Sequence, residues 1–176
     1  MTLPNLITIA RLVTVPLIIV MIGQGRWLAA FLLFAAAGLS DAVDGFIAKR
    51  FDMMSELGAY IDPLADKALL VSIYVTLAVV GALPAWLAVV VVSRDVMIVA
   101  AIVLSWVMGR PLRINPLWIS KANTAAQIGL AALVLAARAF GLEAGGSLDA
   151  ASWATAALTI ASAGAYLALW MRHMAG

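Results

Sequence analysis

Asp41, Asp44, Asp62 and Asp66 stand in the stretch DAVDGFIAKRFDMMSELGAYIDPLAD of a chain that is 65% hydrophobic and only 11% charged. An ionised carboxylate at membrane depth costs roughly 2.5 to 3.5 kcal/mol on insertion scales, so four close together require an opposite charge. A bound divalent metal is the simplest one. Carboxylates are hard oxygen donors, and with no cysteine and one histidine in the chain the set suits Mg²⁺, Mn²⁺ or Ca²⁺ rather than Zn²⁺. Asp41 and Asp44 are spaced i, i+3 and Asp62 and Asp66 i, i+4, so on two helices each pair shares a face. The polar stretch Arg50 to Leu57, ending at Gly58, is expected to form a short turn that returns the second helix antiparallel to the first.

The residues between the acids extend the chemistry. Gly45 and Ala48 leave a groove beside Asp44 where a bulky ligand group can approach the backbone. Lys49 supplies a cation next to it. Metal ions to bridge oxygens, a basic side chain and open space are what a pyrophosphate needs.

These residues must be positioned by membrane helices. The chain has 176 residues and a mean hydropathy of +1.09, too apolar for a soluble core. A span needs about 20 apolar residues, which predicts an all-α polytopic membrane protein with six transmembrane helices. They run about Leu6 to Gly23, Leu28 to Ala48, Ala59 to Gly81, Pro84 to Met108, Leu117 to Phe140 and Ala151 to Trp170, and residues 1–176 form a single domain without internal repeats. Lys49, Arg50, Arg110, Arg113 and Arg172 fall on the side of the termini, with Arg26 and Arg138 opposite. The positive-inside rule therefore places both termini, and the aspartates, in the cytosol. Trp27, Trp86, Trp118, Trp153 and Trp170 lie near span ends as interface anchors. The first segment lacks a basic n-region and a small-residue cleavage site, so it reads as retained. A net charge of +2 with scattered Lys and Arg does not suggest nucleic acid as a partner.

Written out, Asp41, Asp44, Gly45, Ala48, Lys49, Gly58, Asp62 and Asp66 resemble the signature DxxDGxxAR, eight residues, GxxxDxxxD of the CDP-alcohol phosphotransferases, also called CDP-alcohol phosphatidyltransferases. Every spacing agrees, and Lys49 stands where the family usually has Arg. Lys keeps the charge and loses the bidentate fork. The six-span architecture also looks like that family. The resemblance implies an enzyme in which an alcohol hydroxyl attacks the β-phosphate of a CDP-linked lipid and CMP leaves. It implies two divalent ions, Mg²⁺ or Mn²⁺, held by Asp41, Asp44, Asp62 and Asp66, with Asp66 also the general base. Gly45, Ala48, Lys49 and Gly58 would receive the CDP-lipid, and the start of the chain, Pro4 to Arg11, looks like the family's PNxxTxxR, so that Asn5, Thr8 and Arg11 could line the nucleotide cavity. An ordinary helix start with Arg11 snorkelling to the headgroups is the competing reading. A homodimer in a bacterial inner membrane, among membrane lipids, completes what is expected.

The acceptor is less legible. Arg94 and Asp95 sit mid-span, where a charge usually faces a cavity or a partner: either they neutralise one another or Arg94 walls an acceptor pocket. Arg94, Arg110, Arg113 and Lys121 form a candidate basic lining for an acceptor phosphate, although Arg110 and Arg113 serve equally as topology signals. The segments LPAWL at 83–87, SRDV at 93–96 and ISKANTAAQ at 119–127 look most like the cardiolipin synthase branch, which joins CDP-diacylglycerol to phosphatidylglycerol. The phosphatidylglycerophosphate synthase branch, whose acceptor is glycerol 3-phosphate, is similar through the amino-terminal half. Buried carboxylates beside a Lys also occur in cation or proton-coupled transporters, but no inverted repeat or pair of broken spans accompanies them here. His173, the single histidine, reads as a solvated tail residue, and Gly141 to Asp149 as a non-cytosolic loop.

Overall fold

A computed structural model describes residues 3–51, 56–109, 117–143 and 145–175, with the backbone alone over 3–12, 41–51, 56–66 and 175. Among them are six helices: α1 (Leu3–Gly23), α2 (Trp27–Phe51), α3 (Glu56–Val79), α4 (Ala85–Val107), α5 (Trp118–Phe140) and α6 (Gly145–Ala175). At 1.5 Å per residue, even the 21 residues of α1 reach roughly 31 Å, about the thickness of a hydrocarbon layer. Three helical stretches among the described residues are long and apolar enough to cross a membrane: Ala85–Val107, Trp118–Phe140 and Gly145–Met174, with mean hydropathies of 2.5, 1.3 and 1.4. Shorter apolar runs, Val13–Gly23, Trp27–Ser40 and Lys67–Val79, occupy the parts of α1 to α3 whose side chains are described.

Helix ends follow from local chemistry. Gly25, at φ +71°, takes the left-handed conformation that L side chains disfavour. Its N–H donates to the Ile22 carbonyl at 3.0 Å and the Arg26 N–H to Met21 at 2.9 Å, the paired bonds of a Schellman cap that ends α1. Gly141, at φ +65°, ends α5 in the same way, with the Leu142 N–H donating to Ala137 at 2.9 Å.

The chain divides into two compact units. The first comprises Met1–Leu83 and Ala131–Glu143, and in it α1 packs against both α2 and α3. Its core is built from helical stripes: Val15, Ile18 and Ile22 of α1, Ala30, Phe34 and Ala37 of α2, and Leu70, Ile73, Tyr74 and Leu77 of α3 are buried. These spacings of three and four residues place each set on one face.

The second unit comprises Pro84–Leu130 and Ala144–Gly176, and in it α4 packs on α6. Leu87, Val91, Arg94, Ile98 and Ser105 of α4 are buried, whereas Val89, Val96, Val99, Val103 and Val107 are exposed. A water-soluble protein would hide those valines and expose the arginine. The reversed arrangement suits lipid, which is as apolar as the valines and leaves polar contacts to the helix interface.

Two expectations for the connections change. Gly145 to Asp149 belong to α6 rather than to a loop, because after the two glycines, each worth about 1 kcal/mol against helix, an uninterrupted alanine-rich run carries the helix on. Likewise α3 begins at Glu56, so Gly58 lies in its first turn instead of ending the connection.

Candidate functional site

The backbone carries the aspartates as their spacing predicts. Asp41 and Asp44 lie on α2 with Gly45, Ala48 and Lys49, and Asp62 and Asp66 lie on α3 with Gly58. At about 100° per residue, positions three and four apart return to within 60° and 40° of one another around the axis. Both helices pack on α1, which itself carries Asn5, Thr8 and Arg11. One compact unit therefore holds every residue of the aspartate signature and of the amino-terminal motif. The side chains of these eleven residues, and Arg110 and Arg113 altogether, lie outside the described residues.

Arg94 and Asp95 are brought together. Both are buried in α4, and Arg94 Nη1 donates to Asp95 Oδ1 at 2.6 Å. Arg94 Nη2 donates to the hydroxyls of Ser120 on α5 at 2.6 Å and Ser162 on α6 at 2.8 Å, while its guanidinium carbon sits 5.6 Å from the centre of the Tyr166 ring. One cation thus ties three helices. Its Nε has no hydrogen-bond partner, and Arg94 also lines a cavity of about 270 Å³ with Val89, Ser93 and Met97 of α4 and Thr159 and Ile160 of α6. Arg94 and Asp95 thus neutralise one another, and Arg94 also borders a cavity.

Next to it runs a polar seam. The Thr159 hydroxyl donates to Asn123 Oδ1 at 2.7 Å and is 2.8 Å from the Thr155 carbonyl, and Gln127 Nε2 donates to Thr159 at 3.3 Å. Asn123 Nδ2 is unsatisfied. Ser152, Thr155, Thr159, Ser162 and Tyr166 are all buried; their spacings of three, four, three and four put them on one face of α6. Ser120, Asn123 and Gln127 repeat the pattern on α5. The α6 half of this seam, absent from the residues expected to matter, carries a readable signal: a polar 3–4 stripe inside an apolar helix faces protein rather than lipid.

Lys121 is exposed, with its Nζ 5.1 Å from the centre of the Trp118 ring, a cation–π placement. The tryptophans near the helix ends are partnered: Trp86 and Trp153 stack at 4.7 Å, Trp27 receives Arg138 at 5.6 Å, and Trp170 Nε1 donates to Ser105 Oγ at 2.9 Å.

The family model for CDP-alcohol phosphatidyltransferase matches residues 1–170. The chain is 36% identical to a cardiolipin synthase (CMP-forming) of Rattus norvegicus over 94% of its own length and 60% of that protein. It is 37% identical to the human protein of the same name over 79% of its length and 52% of that protein. With a CDP-diacylglycerol–glycerol-3-phosphate 3-phosphatidyltransferase of Bacillus subtilis it shares 31% identity over 93% of its length and 92% of that protein. The chain spans about half the length of the cardiolipin synthases it matches.

Proposed function

The chain belongs to the CDP-alcohol phosphatidyltransferase family, and on that premise we propose that it is a membrane enzyme that transfers a phosphatidyl group from CDP-diacylglycerol to phosphatidylglycerol, releasing CMP and forming cardiolipin. The observation that carries the reading is the placement of the eight signature positions on two consecutive helices, α2 and α3, that share α1 as a packing partner. Relatives named cardiolipin synthase at about 36% identity support the choice of acceptor.

Asp41, Asp44, Asp62 and Asp66 would hold Mg²⁺ or Mn²⁺, as two ions; four carboxylates form a donor set that fits such hard cations. When bound, the ions neutralise charge on the pyrophosphate oxygens. Asp66 takes the proton of the acceptor hydroxyl as its oxygen forms a bond to the β-phosphorus, and the bond from that phosphorus to CMP breaks with the electron pair leaving on CMP. An alkyl hydroxyl scarcely ionises near neutral pH, so a positioned base accelerates the attack. Gly45, Ala48 and Gly58 admit the nucleotide, Lys49 meets the phosphates, and Asn5, Thr8 and Arg11 line the cytidine side. Arg94, Arg110, Arg113 and Lys121 serve the acceptor's phosphate.

The same proposal puts six spans across a bacterial inner membrane, with both termini and the aspartates cytosolic, in a homodimer. Lys49, Arg50, Arg110, Arg113 and Arg172 on the side of the termini support that orientation. Glycerol 3-phosphate is the alternative acceptor, favoured by the Bacillus subtilis relative that the chain matches over 92% of its length. Incubating the purified protein with Mg²⁺, CDP-diacylglycerol and each acceptor in turn tests the transfer, which fails if no acceptor elicits CMP release.

A further inference from the structure

Arg26 and Arg138 meet at one cavity. It is a shallow groove open to the surface, with a volume of about 440 Å³, lined by Gly25 and Arg26 just before α2, by Trp27, Leu28 and Ala29 in its first turn and by Arg138 and Ala139 in the last turn of α5. Trp27 begins α2, and Asp41 lies fourteen residues further along the same helix, roughly 21 Å away at 1.5 Å per residue. The cavity is thus separate from the aspartates.

Its walls are set by the fold. The Gly25 cap closes the turn that delivers Arg26 to α2, and the Gly141 cap ends α5 just past Arg138. Trp27 holds the Arg138 guanidinium at 5.6 Å, and Phe31, one turn further along α2, meets Phe140 edge-on at 5.8 Å. Among the described residues no acidic side chain lines the cavity. Two exposed guanidinium groups on one groove, with no carboxylate in its described lining, leave their N–H donors available to an anion. In the expected topology both fall on the side opposite to most of the Lys and Arg, where the positive-inside rule leaves cations scarce, so a topology signal does not account for them.

We infer that this cavity binds the phosphate of an anionic phospholipid headgroup in the leaflet opposite to the aspartates. Guanidinium groups bind phosphate oxygens through paired N–H donors, and Trp27 suits the headgroup layer in which the phosphate lies. The leaflet assignment rests on the proposed membrane orientation, whereas the pairing of the two arginines at one cavity does not.

The test uses the full chain in neutral detergent and a photo-crosslinkable phosphatidic acid, with labelled peptides mapped by mass spectrometry. Labelling of 24–30 and 136–142 is expected, competed by unlabelled phosphatidic acid and not by phosphatidylcholine or inorganic phosphate. Competition by phosphatidylcholine would overturn charge recognition, and displacement by inorganic phosphate would make the ligand a free anion rather than a lipid. Arg26→Gln with Arg138→Gln should weaken apparent binding about 30-fold, on the scale of two cations at an anionic surface, while Arg26→Lys with Arg138→Lys keeps most of it; undiminished labelling in the Gln pair overturns the site. The competition arms need only the unsubstituted protein. CMP release in the same preparation scores the aspartate reading separately, since loss of that activity leaves labelling unchanged.

Discussion

Arg94 of α4 donates to the Ser162 hydroxyl of α6 across 68 positions of sequence at 2.8 Å. The bond belongs to a set that also includes Asp95 and Ser120, so a single charge is distributed over three helices of one compact unit. Removing one partner of a buried ion pair costs about 3 to 5 kcal/mol, because the other charge stays behind without it. Arg94→Ala should therefore lower the thermal midpoint in detergent by many degrees, and Arg94→Met combined with Asp95→Leu should return most of the loss. A melt of Arg94→Ala coincident with that of the unsubstituted protein would show that the pair does not hold these helices.

Neutral bonds in the seam should matter less. Interhelical hydrogen bonds in membranes average about 0.6 kcal/mol and reach about 1.7. Thr159→Val, which removes the donor to Asn123 Oδ1, is thus expected to cost about 1 kcal/mol, several-fold less than Arg94→Ala in the same melt. Equal losses for the two would put the weight on the uncharged network.

Helix positions were readable because each helix carries an apolar run: the expected segments for α1 to α5 differ from the observed ends by three residues or fewer. The start of α6 was not, since Gly145 and Gly146 look like a loop until packing and the following alanines outweigh them. The aspartate pairs were legible because helical spacing alone dictates their register. Arg94 was legible as a charge needing a partner, but Ser120, Ser162 and Tyr166 were not; partners 26 to 72 residues away depend on how α4, α5 and α6 pack, which no local pattern states.

The division of labour among the carboxylates can be separated kinetically. Asp66→Asn should keep metal-dependent binding of CDP-lipid while lowering turnover by ~10² or more, the range for loss of a general base. Asp41→Ala should weaken metal binding itself, measured by the Mg²⁺ concentration needed for half-maximal CDP-lipid binding. Unchanged turnover in Asp66→Asn would remove Asp66 from the role of base.

Lys49 offers a gain-of-function test. A guanidinium can hold two phosphate oxygens where an ammonium presents a point charge, so Lys49→Arg is expected to leave CDP-diacylglycerol affinity equal or raise it several-fold. A clear loss of affinity would mean that the pocket is shaped around lysine.

Purified protein with Mg²⁺ and CDP-diacylglycerol should be offered phosphatidylglycerol and glycerol 3-phosphate together, and the lipids read by mass spectrometry alongside released CMP. Cardiolipin appearing in step with CMP is the expected result; phosphatidylglycerophosphate in its place, or no CMP with either acceptor, would contradict it.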